Sequence, residues 1–343
     1  MIDVEIMVVT VTGGDVVVFQ ADSVEITVLV ENWVDMLLAD SMVGDHCVSR
    51  TGLLEHFDPK EEPPQAENGI SFLVKATKGR RTATILFDVG LTGKVLAHNL
   101  RVLRHDPATI DHIVISHGHP DHYGGIYGCL DLIGRDTPVA THPDAFLPRY
   151  AVMGDGSTSQ FYNARFREGE IDRRGGRLVF TRDPLELGNG VLTTGEIGRL
   201  NDFEGTPIPA TLRSPGLYQV GPDGQRRVDA VMDEMALLID VAGRGVVVLT
   251  GCAHAGVINT VRRAKELLDD RPILAVAGGF HLGFPTTPAE NIVRTAEALK
   301  DIGVEVLMPM HCSGLATHVK MSQEFNGRYV QPAVGTTLHF QSG

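Results

Sequence analysis

The stretch IVISHGHPDHYGG, residues 113–125, joins an apolar run to a cluster of side chains that bind metals. Its first part, Ile113–Ser116, is mostly β-branched and predicts a buried strand. The next six residues contain three histidines and one aspartate, which are costly to bury without partners. A histidine-rich surface turn is the alternative, but it accounts for neither the strand nor the glycines. We therefore expect a metal site on a loop at the end of a strand, where α/β sheets place their sites.

The spacing within this loop suggests two metal ions. His117 and His119 lie two residues apart, so both rings can face a first ion. Asp121 and His122 are expected to face a second ion a few ångströms away. Asp121 can also accept a proton, which makes it a candidate catalytic residue. Nitrogen and carboxylate donors favour zinc, with manganese or iron as alternatives.

Further stretches carry a family resemblance. LFDVG at residues 86–90 places Asp88 at a strand end, ahead of the histidine loop. Other matching stretches are AENGIS (66–71), TTGEI (193–197), LTGCAH (249–254), GGFHL (278–282) and HCSG (311–314). The chain resembles the metallo-β-lactamase superfamily along most of its length. Within it, the chain resembles the branch of metal-dependent hydrolases labelled 7,8-dihydropterin-6-yl-methyl-4-(β-D-ribofuranosyl)aminobenzene 5'-phosphate synthase-like. This resemblance implies an α/β fold, the αββα sandwich, in one domain spanning residues 1–343.

The resemblance also implies the remaining ligands, and here the chain departs from the family pattern. Most members supply a third histidine to the first ion, a bridging aspartate, and a last histidine to the second ion. Cys252 stands where the bridging aspartate is usual, and Glu196 where the third histidine is expected. We assign His254 to the first ion and His311 to the second. Cys252 is either a bridging thiolate or a small buried hydrophobic residue. Glu196 either binds metal or orients a ligand.

Two more residues are candidates for supporting roles. Asp88 is expected to hold one of the loop histidines by a hydrogen bond and so set its tautomer. His281 follows a predicted strand at residues 273–277, which brings it to the same rim of the sheet. We interpret His281 as a proton donor or substrate contact. A metal ligand and a structural histidine satisfied by the backbone are the alternatives.

Composition limits the partners and the compartment. The 343 residues carry a formal net charge of −13, which argues against nucleic-acid binding and against anionic membranes. The four cysteines form no C-x-x-C pair and are too few for a disulfide scaffold. Neither a signal-peptide pattern nor an apolar run of membrane-spanning length is seen, so we expect a cytoplasmic protein. The oligomeric state is not predicted.

Hydrophobic patterning predicts strands followed by alternating strands and helices. A weakly patterned stretch at residues 141–177 is interpreted as a lid or cap insertion, with an insertion lacking any substrate role as the alternative. The predicted strands are 4–11, 16–19, 26–30, 70–76, 82–87, 113–116, 246–249, 273–277 and 304–308, and the predicted helices are 92–104, 256–268 and 288–299. The strands at 70–76 and 82–87 are expected to form a hairpin, and Thr92 is expected to cap the first helix.

These features predict a metal-dependent hydrolase. A metal-bound hydroxide would attack an ester, phosphoester or lactone-like bond in a small molecule. A pterin/ribofuranosylaminobenzene-phosphate synthase and iron-based oxygen or sulfur chemistry are alternatives, and a non-enzymatic binding protein is a more distant one. Basic residues of the presumed lid either pair with an anionic or phosphorylated substrate or form a solvated face. These residues are Arg149, Arg165, Arg167, Arg173 and Arg174.

Overall fold

The computed structural model describes residues 7–8, 20–51, 60, 62–160, 166–206 and 214–343. This part of the chain contains twenty strands and seven α-helices. The strands are β1 (Met7–Val8), β2 (Ser23–Val30), β3 (Ser41–Val43), β4 (His46–Ser49), β5 (Ser71–Lys78), β6 (Arg81–Phe87), β7 (His112–Val114), β8 (Thr137–Thr141), β9 (Arg149–Val152), β10 (Thr158–Gln160), β11 (Gly176–Phe180), β12 (Leu185–Gly188), β13 (Val191–Thr193), β14 (Gly216–Val220), β15 (Arg226–Val228), β16 (Leu237–Val241), β17 (Gly245–Thr250), β18 (Ile273–Gly279), β19 (Val306–Met310) and β20 (Thr337–Gln341). The helices are α1 (Gly93–Val102), α2 (Pro120–Tyr123), α3 (Ile126–Ile133), α4 (Glu168–Asp172), α5 (Val257–Leu267), α6 (Ala289–Ile302) and α7 (Leu315–Glu324).

Two large sheets pack face to face. The nine-stranded sheet has the order β11-β8-β7-β6-β5-β2-β20-β4-β3, and the seven-stranded sheet has the order β1-β12-β13-β16-β17-β18-β19. Apolar side chains of both sheets fill the core between them, among them Phe72 and Phe87 from the first and Leu237 and Leu249 from the second. Helices α1 and α3 cover the outer face of the first sheet. Helices α5, α6 and α7 cover the outer face of the second, which completes the predicted αββα sandwich.

Local sequence signals account for most of these elements. The Thr92 hydroxyl accepts a hydrogen bond from the Val95 amide and caps α1, as the sequence indicated. Helix α6 ends at Gly303, whose φ of 84° suits a residue without a Cβ. Strands β5 and β6 form the predicted antiparallel hairpin. No helix of the described residues is both long and apolar enough to cross a bilayer.

The parallel strands of each sheet end at the same rim. Strands β6, β7 and β8 run parallel in the first sheet, as do β17, β18 and β19 in the second. The residues that follow β6, β7, β17, β18 and β19 therefore meet at one edge of the sandwich. Those residues include Asp88, His117, Cys252, His281 and His311.

Several predicted bounds were wrong. The strand predicted at 113–116 is observed at His112–Val114, because Ser116 turns away to donate its amide to Asp88. The strand predicted at 304–308 begins only at Val306, because the Val304 amide still bonds to Leu299 at the end of α6. Of the strands predicted at 4–11 and 16–19, all but Met7 and Val8 lie outside the described residues.

The presumed lid is more ordered than its sequence suggested. Strands β9 and β10 lie within it and join β14 and β15 in a four-stranded antiparallel sheet, β10-β9-β14-β15. Its last residues, Gly176 and Arg177, begin β11, which pairs in parallel with β8 at the edge of the nine-stranded sheet. Pairing with strands about 70 residues away in sequence supplied regularity that no local pattern showed.

Candidate metal centre

Three histidines form the first donor set, which we define as His117, His119 and His254. His117 Nε2 lies 3.0 Å from His119 Nδ1, and the His254 ring centroid lies 4.7 and 4.8 Å from the other two rings. The His254 Nε2 atom is buried, and no described residue hydrogen-bonds to it. A buried nitrogen left without a partner costs free energy, and a metal ion would satisfy it.

The second donor set consists of Asp121, His122 and His311. Asp121 Oδ2 lies 3.2 Å from His311 Nε2, and Asp121 Oδ1 lies 3.8 Å from His122 Nε2. On its other side, His122 Nδ1 is 2.6 Å from Asp88 Oδ2. Asp88 therefore sits where the sequence suggested, holding the His122 ring so that Nε2 faces the other donors.

Cys252 lies between the two sets. Its sulfur is 3.1 Å from His122 Nε2. It groups with His117 and His254 on one side and with His122 and His311 on the other, with all ligand atoms of each group within 4.8 Å. This geometry favours the bridging alternative over that of a residue that merely fills the core. Burial raises the pKa of the Cys252 thiol, so a metal ion would have to displace its proton.

Glu196 lies elsewhere. Its carboxylate accepts hydrogen bonds from Arg182 Nη1 at 2.6 Å and pairs with His142 Nε2 at 2.9 Å. None of the three donor groups found among the described residues includes it. The position that the family resemblance assigned to the third histidine is thus occupied by an ion pair, while His254 approaches from the loop after β17.

The two donor sets differ in their protonation. Burial, together with the neighbouring imidazoles, lowers the pKa values of His117 and His254 well below the usual range. Burial and the Arg149 guanidinium lower the pKa of His119 to about 3. Burial also tends to lower the pKa of His311. The hydrogen bond to Asp121 and the nearby acidic groups outweigh this effect and raise the pKa of His311 to about 9.

A third group of donors lies beside the first two. It comprises Cys252, His281 and Cys312, again with ligand atoms within 4.8 Å. The His281 ring centroid is 4.2 Å from that of His254, and Thr206 Oγ1 lies 3.3 Å from His281 Nε2. His281 Nδ1 is buried, and no described residue hydrogen-bonds to it. Cys312 was not among the predicted donors, although its motif, HCSG, puts it next to the proposed ligand His311.

Buried carboxylates hold the backbone of the loops that carry the two donor sets. Asp88 accepts from the Ser116 amide at 2.7 Å and Asp233 from the Gly118 amide at 2.8 Å. Glu234 accepts from the Ala255 amide at 2.8 Å, and both Glu31 carboxylate oxygens lie 3.1 Å from the His311 amide. Glu31, Asp233 and Glu234 were not predicted, because each comes from a segment with no ligand spacing.

Four residues at this rim adopt left-handed backbone conformations. They are Asp88, Ala253, His281 and His311, with φ between 49° and 59°. Residues with a Cβ rarely adopt this conformation, which costs about 1–2 kcal/mol each. Each follows a parallel strand, so the chain turns sharply where it presents its donors.

The lid arginines do not act as one group. Arg149 is 1% exposed and forms buried ion pairs, so it is neither part of a solvated face nor available to a substrate. Arg173 and Arg174 pair with Glu170 on α4. Arg165 lies outside the described residues.

Comparisons with known proteins agree with this fold. A family model described as the metallo-β-lactamase superfamily matches residues 67–255. The chain is 31% identical over 291 residues to a Methanocaldococcus jannaschii protein named 7,8-dihydropterin-6-methyl-4-(β-D-ribofuranosyl)-aminobenzene-5'-phosphate synthase, covering 84% of this chain and 95% of that protein. It is also 31% identical over 265 residues to an uncharacterized protein of the same organism, covering 77% of this chain and 91% of that one.

A solved structure shares the architecture. It is described as a metal-dependent hydrolase of the β-lactamase superfamily, with a TM-score of 0.65 and 24% identity over 93% of this chain and 100% of that one. The histidine loop, the five strand ends that meet at one rim and the extent of these matches lead to one assignment. The chain belongs to the metallo-β-lactamase superfamily.

Proposed function

We propose that this protein is a metal-dependent hydrolase that cleaves an ester, phosphoester or lactone-like bond in a small molecule. One observation carries the proposal: two donor sets lie side by side, and the Cys252 sulfur lies within 4.8 Å of donor atoms of His117 and His254 in the first and of His122 and His311 in the second. Such an arrangement fits two divalent ions, with zinc favoured by imidazole and thiol donors and manganese or iron as alternatives. We propose His117, His119 and His254 as ligands of one ion, and Asp121, His122 and His311 as ligands of the other.

The donor set fits a resident metal. Imidazoles with lowered pKa values are neutral at pH 7 and offer their lone pairs. Bound divalent ions would supply Lewis acidity, which acidifies a water molecule and stabilises negative charge on the attacked group. The protein contributes a fixed frame, because the carboxylates beneath the loops hold the donor backbone in place.

Two residues supply the proton transfers in this proposal. The Asp121 side chain is 25% exposed, and its neighbours His122 and His311 keep its pKa low despite burial, so it is an ionised acceptor at the rim. His281 is half-buried beside the first donor set. We propose that Asp121 accepts a proton from the attacking water and that His281 donates one to the leaving group.

Elemental analysis and a substrate panel test this proposal. We expect up to two zinc or manganese ions per chain, and turnover of at least one class among phosphomonoesters, phosphodiesters, carboxylic esters and lactones. Chelation should abolish turnover, and added zinc or manganese should restore it. Protein that holds no transition metal after metal supplementation would contradict the proposal.

His281→Ala separates the roles open to this residue. As a proton donor, its loss should lower kcat by about 10²–10⁴-fold with metal content unchanged. Loss of an ion would make His281 a ligand, and full activity would make it structural. His318→Ala is the matched control. This histidine is also buried, but it belongs to neither donor set, and its Nδ1 lies 3.0 Å from Tyr329 Oη.

A second candidate function follows from the curated relative. Its name describes a synthase, and the similarity covers 95% of that protein. In this alternative the centre would join a dihydropterin to a ribofuranosylaminobenzene phosphate instead of cleaving a bond. Assaying that coupling beside the hydrolysis panel distinguishes the two. Iron as the native metal would instead favour oxygen or sulfur chemistry, to which the thiol and carboxylate donors are suited.

We further propose a single domain with the segment at 141–177 acting as a lid over the site.

The negative net charge favours a small-molecule substrate over nucleic acid. All four cysteines are free, which fits a reducing, cytoplasmic compartment.

A further inference from the structure

Arg149 is a buried cation that reaches the metal-binding loop. It begins β9 in the four-stranded sheet and is 1% exposed. Its Nε donates to Asp229 Oδ2 at 2.7 Å, and its Nη2 donates to Asp233 Oδ1 at 2.5 Å. Its Nη1 donates to the carbonyl oxygens of Gly118 at 3.2 Å and Ala145 at 3.3 Å. The guanidinium thus joins the small sheet to the residue between His117 and His119.

Asp233 holds the other side of the same residue. Its Oδ2 accepts from the Gly118 amide at 2.8 Å, while its Oδ1 accepts from Arg149. Both the N–H and the C=O of Gly118 are therefore bound by one buried ion pair. A Cβ at position 118 would lie 2.1 Å from the Ala145 oxygen and 2.1 Å from Arg149 Nη1. The loop is therefore held in one conformation, which has no room for a side chain at residue 118.

Bulk stability is a weak explanation for such a network. Buried ion pairs often stabilise no more than well-packed apolar side chains, because desolvation of the charges offsets their attraction. A fixed, bidentate geometry is what a guanidinium supplies that an apolar residue does not. Here that geometry is directed at the peptide groups that set the separation of His117 Nε2 and His119 Nδ1.

We propose that Arg149 and Asp233 form a clamp that positions His117 and His119 for metal binding, so that metal affinity at the first donor set depends on this pair. They are positioning residues, because neither touches the metal-binding atoms. The inference rests on the proposed metal centre.

Asp229 provides a matched comparison. Like Asp233, it is 1% exposed, binds Arg149 and accepts one backbone N–H, but that amide belongs to Val231 rather than Gly118. Asp233→Asn and Asp229→Asn therefore remove the same charge from the same network. Only the first disturbs the loop between the two histidines.

The experiment measures Zn²⁺ affinity by competition with a chromophoric chelator, alongside thermal unfolding. It is run in the wild-type background and in a His122→Ala, His311→Ala background that isolates the first donor set. We expect Asp233→Asn to weaken Zn²⁺ binding about 10–100-fold, as is typical when a residue supporting a ligand is changed. Asp229→Asn should change it only a few-fold at a similar Tm. If both variants lost the same Zn²⁺ affinity, in proportion to their loss of Tm, the clamp proposal would be overturned.

Two further variants guard against misfolding. Arg149→Lys keeps the charge but cannot reach both aspartates and the Gly118 oxygen at once, so it should weaken binding about tenfold. Tyr218→Leu damages the same small sheet through a buried residue that stacks on Tyr150, and it should leave Zn²⁺ affinity unchanged. Wild-type affinity in Arg149→Lys would reject the clamp while leaving the hydrolase proposal intact. Wild-type protein that binds no metal would reject both.

Discussion

The two donor sets start from one loop of six residues but are built in opposite ways. The first set, His117, His119 and His254, contains imidazoles alone and has the Arg149 cation behind it. The second set contains Asp121, and Asp88 and Glu31 bind its histidines from behind. The histidines of the first set have lowered pKa values and are neutral and ready to bind, whereas in the second set the pKa of His311 is raised to about 9, so that ring holds a proton at pH 7. Spacing within the loop predicts the donors, but the partners behind them decide how each set behaves.

Removing two donors from either set should have the largest effect. His117→Ala with His119→Ala should abolish binding of one ion, and His122→Ala with His311→Ala should abolish the other. Each loss should exceed the roughly 100-fold effect expected for a supporting residue. Metal stoichiometry by elemental analysis measures both, and unchanged stoichiometry in either double variant would contradict the assignment of that set.

Asp88→Asn should weaken the second set selectively. The amide cannot accept at both Ser116 and His122 as the carboxylate does, so the His122 ring loses its fixed tautomer. We expect about a 10–100-fold loss of affinity for one ion and little change for the other. Asp22→Asn, at a half-exposed pair with Lys78, is the control. Equal weakening of both ions would mean that Asp88 supports the whole rim.

The pH dependence of metal binding should separate the sets next. In the metal-free protein the pKa of His311 is raised to about 9, so a metal must displace its proton at neutral pH. Affinity at the second set should rise about tenfold per pH unit up to about pH 9. The pKa of His119 is lowered to about 3, so its ring is already neutral and adds no such slope.

The Cys252 thiol proton can be released only once, so each set is titrated alone, in the double variant that lacks the donors of the other set, where that proton contributes equally. Calorimetric titration in buffers of different ionisation enthalpy, repeated between pH 6 and 9, gives the protons released by each ion. Identical proton release at both sets would remove the distinction drawn here.

The smallest effect should come from Thr206→Val. Thr206 Oγ1 lies 2.5 Å from His254 Nδ1, so it orients a first-set ligand as Asp88 orients His122, but with a neutral hydroxyl. Hydrogen bonds between neutral groups are about half as strong as charge-assisted ones, so we expect only a few-fold loss at the first set. A loss as large as that in Asp88→Asn would show that charge does not distinguish the two supports.

The sequence was a good guide wherever the signal was local. The loop spacing, the strands that precede it and the Thr92 cap were all readable, because each depends on neighbours along the chain. The supports behind the loops were not readable. Glu31 and the His311 amide are 280 residues apart, and Asp233 and Gly118 are 115 apart, so only the folded sandwich brings them together.

Arg149 is a second case in which partners distant in sequence decided the role of a residue. Its sequence neighbourhood indicated a lid residue facing a substrate or solvent, yet its partners, Asp229 and Asp233, lie 80 and 84 residues further along the chain. A charged residue can be buried only with such partners, and the sequence near residue 149 does not indicate that they exist. Glu196 was placed by family position, which carries no information on the Arg182 and His142 partners that bind it.

The left-handed residues at the rim bear on protein engineering. Glycine would relieve the backbone at Asp88, His281 or His311, but it would also delete the side chain for which the turn exists. Only Ala253 lacks a side chain with a proposed role, and its methyl group is buried in the core under α5. Consensus or glycine substitutions chosen for thermostability should therefore avoid these turns. Gains in shelf life are better sought on the outer helices, such as α6 and α7, than among the residues that shape the site.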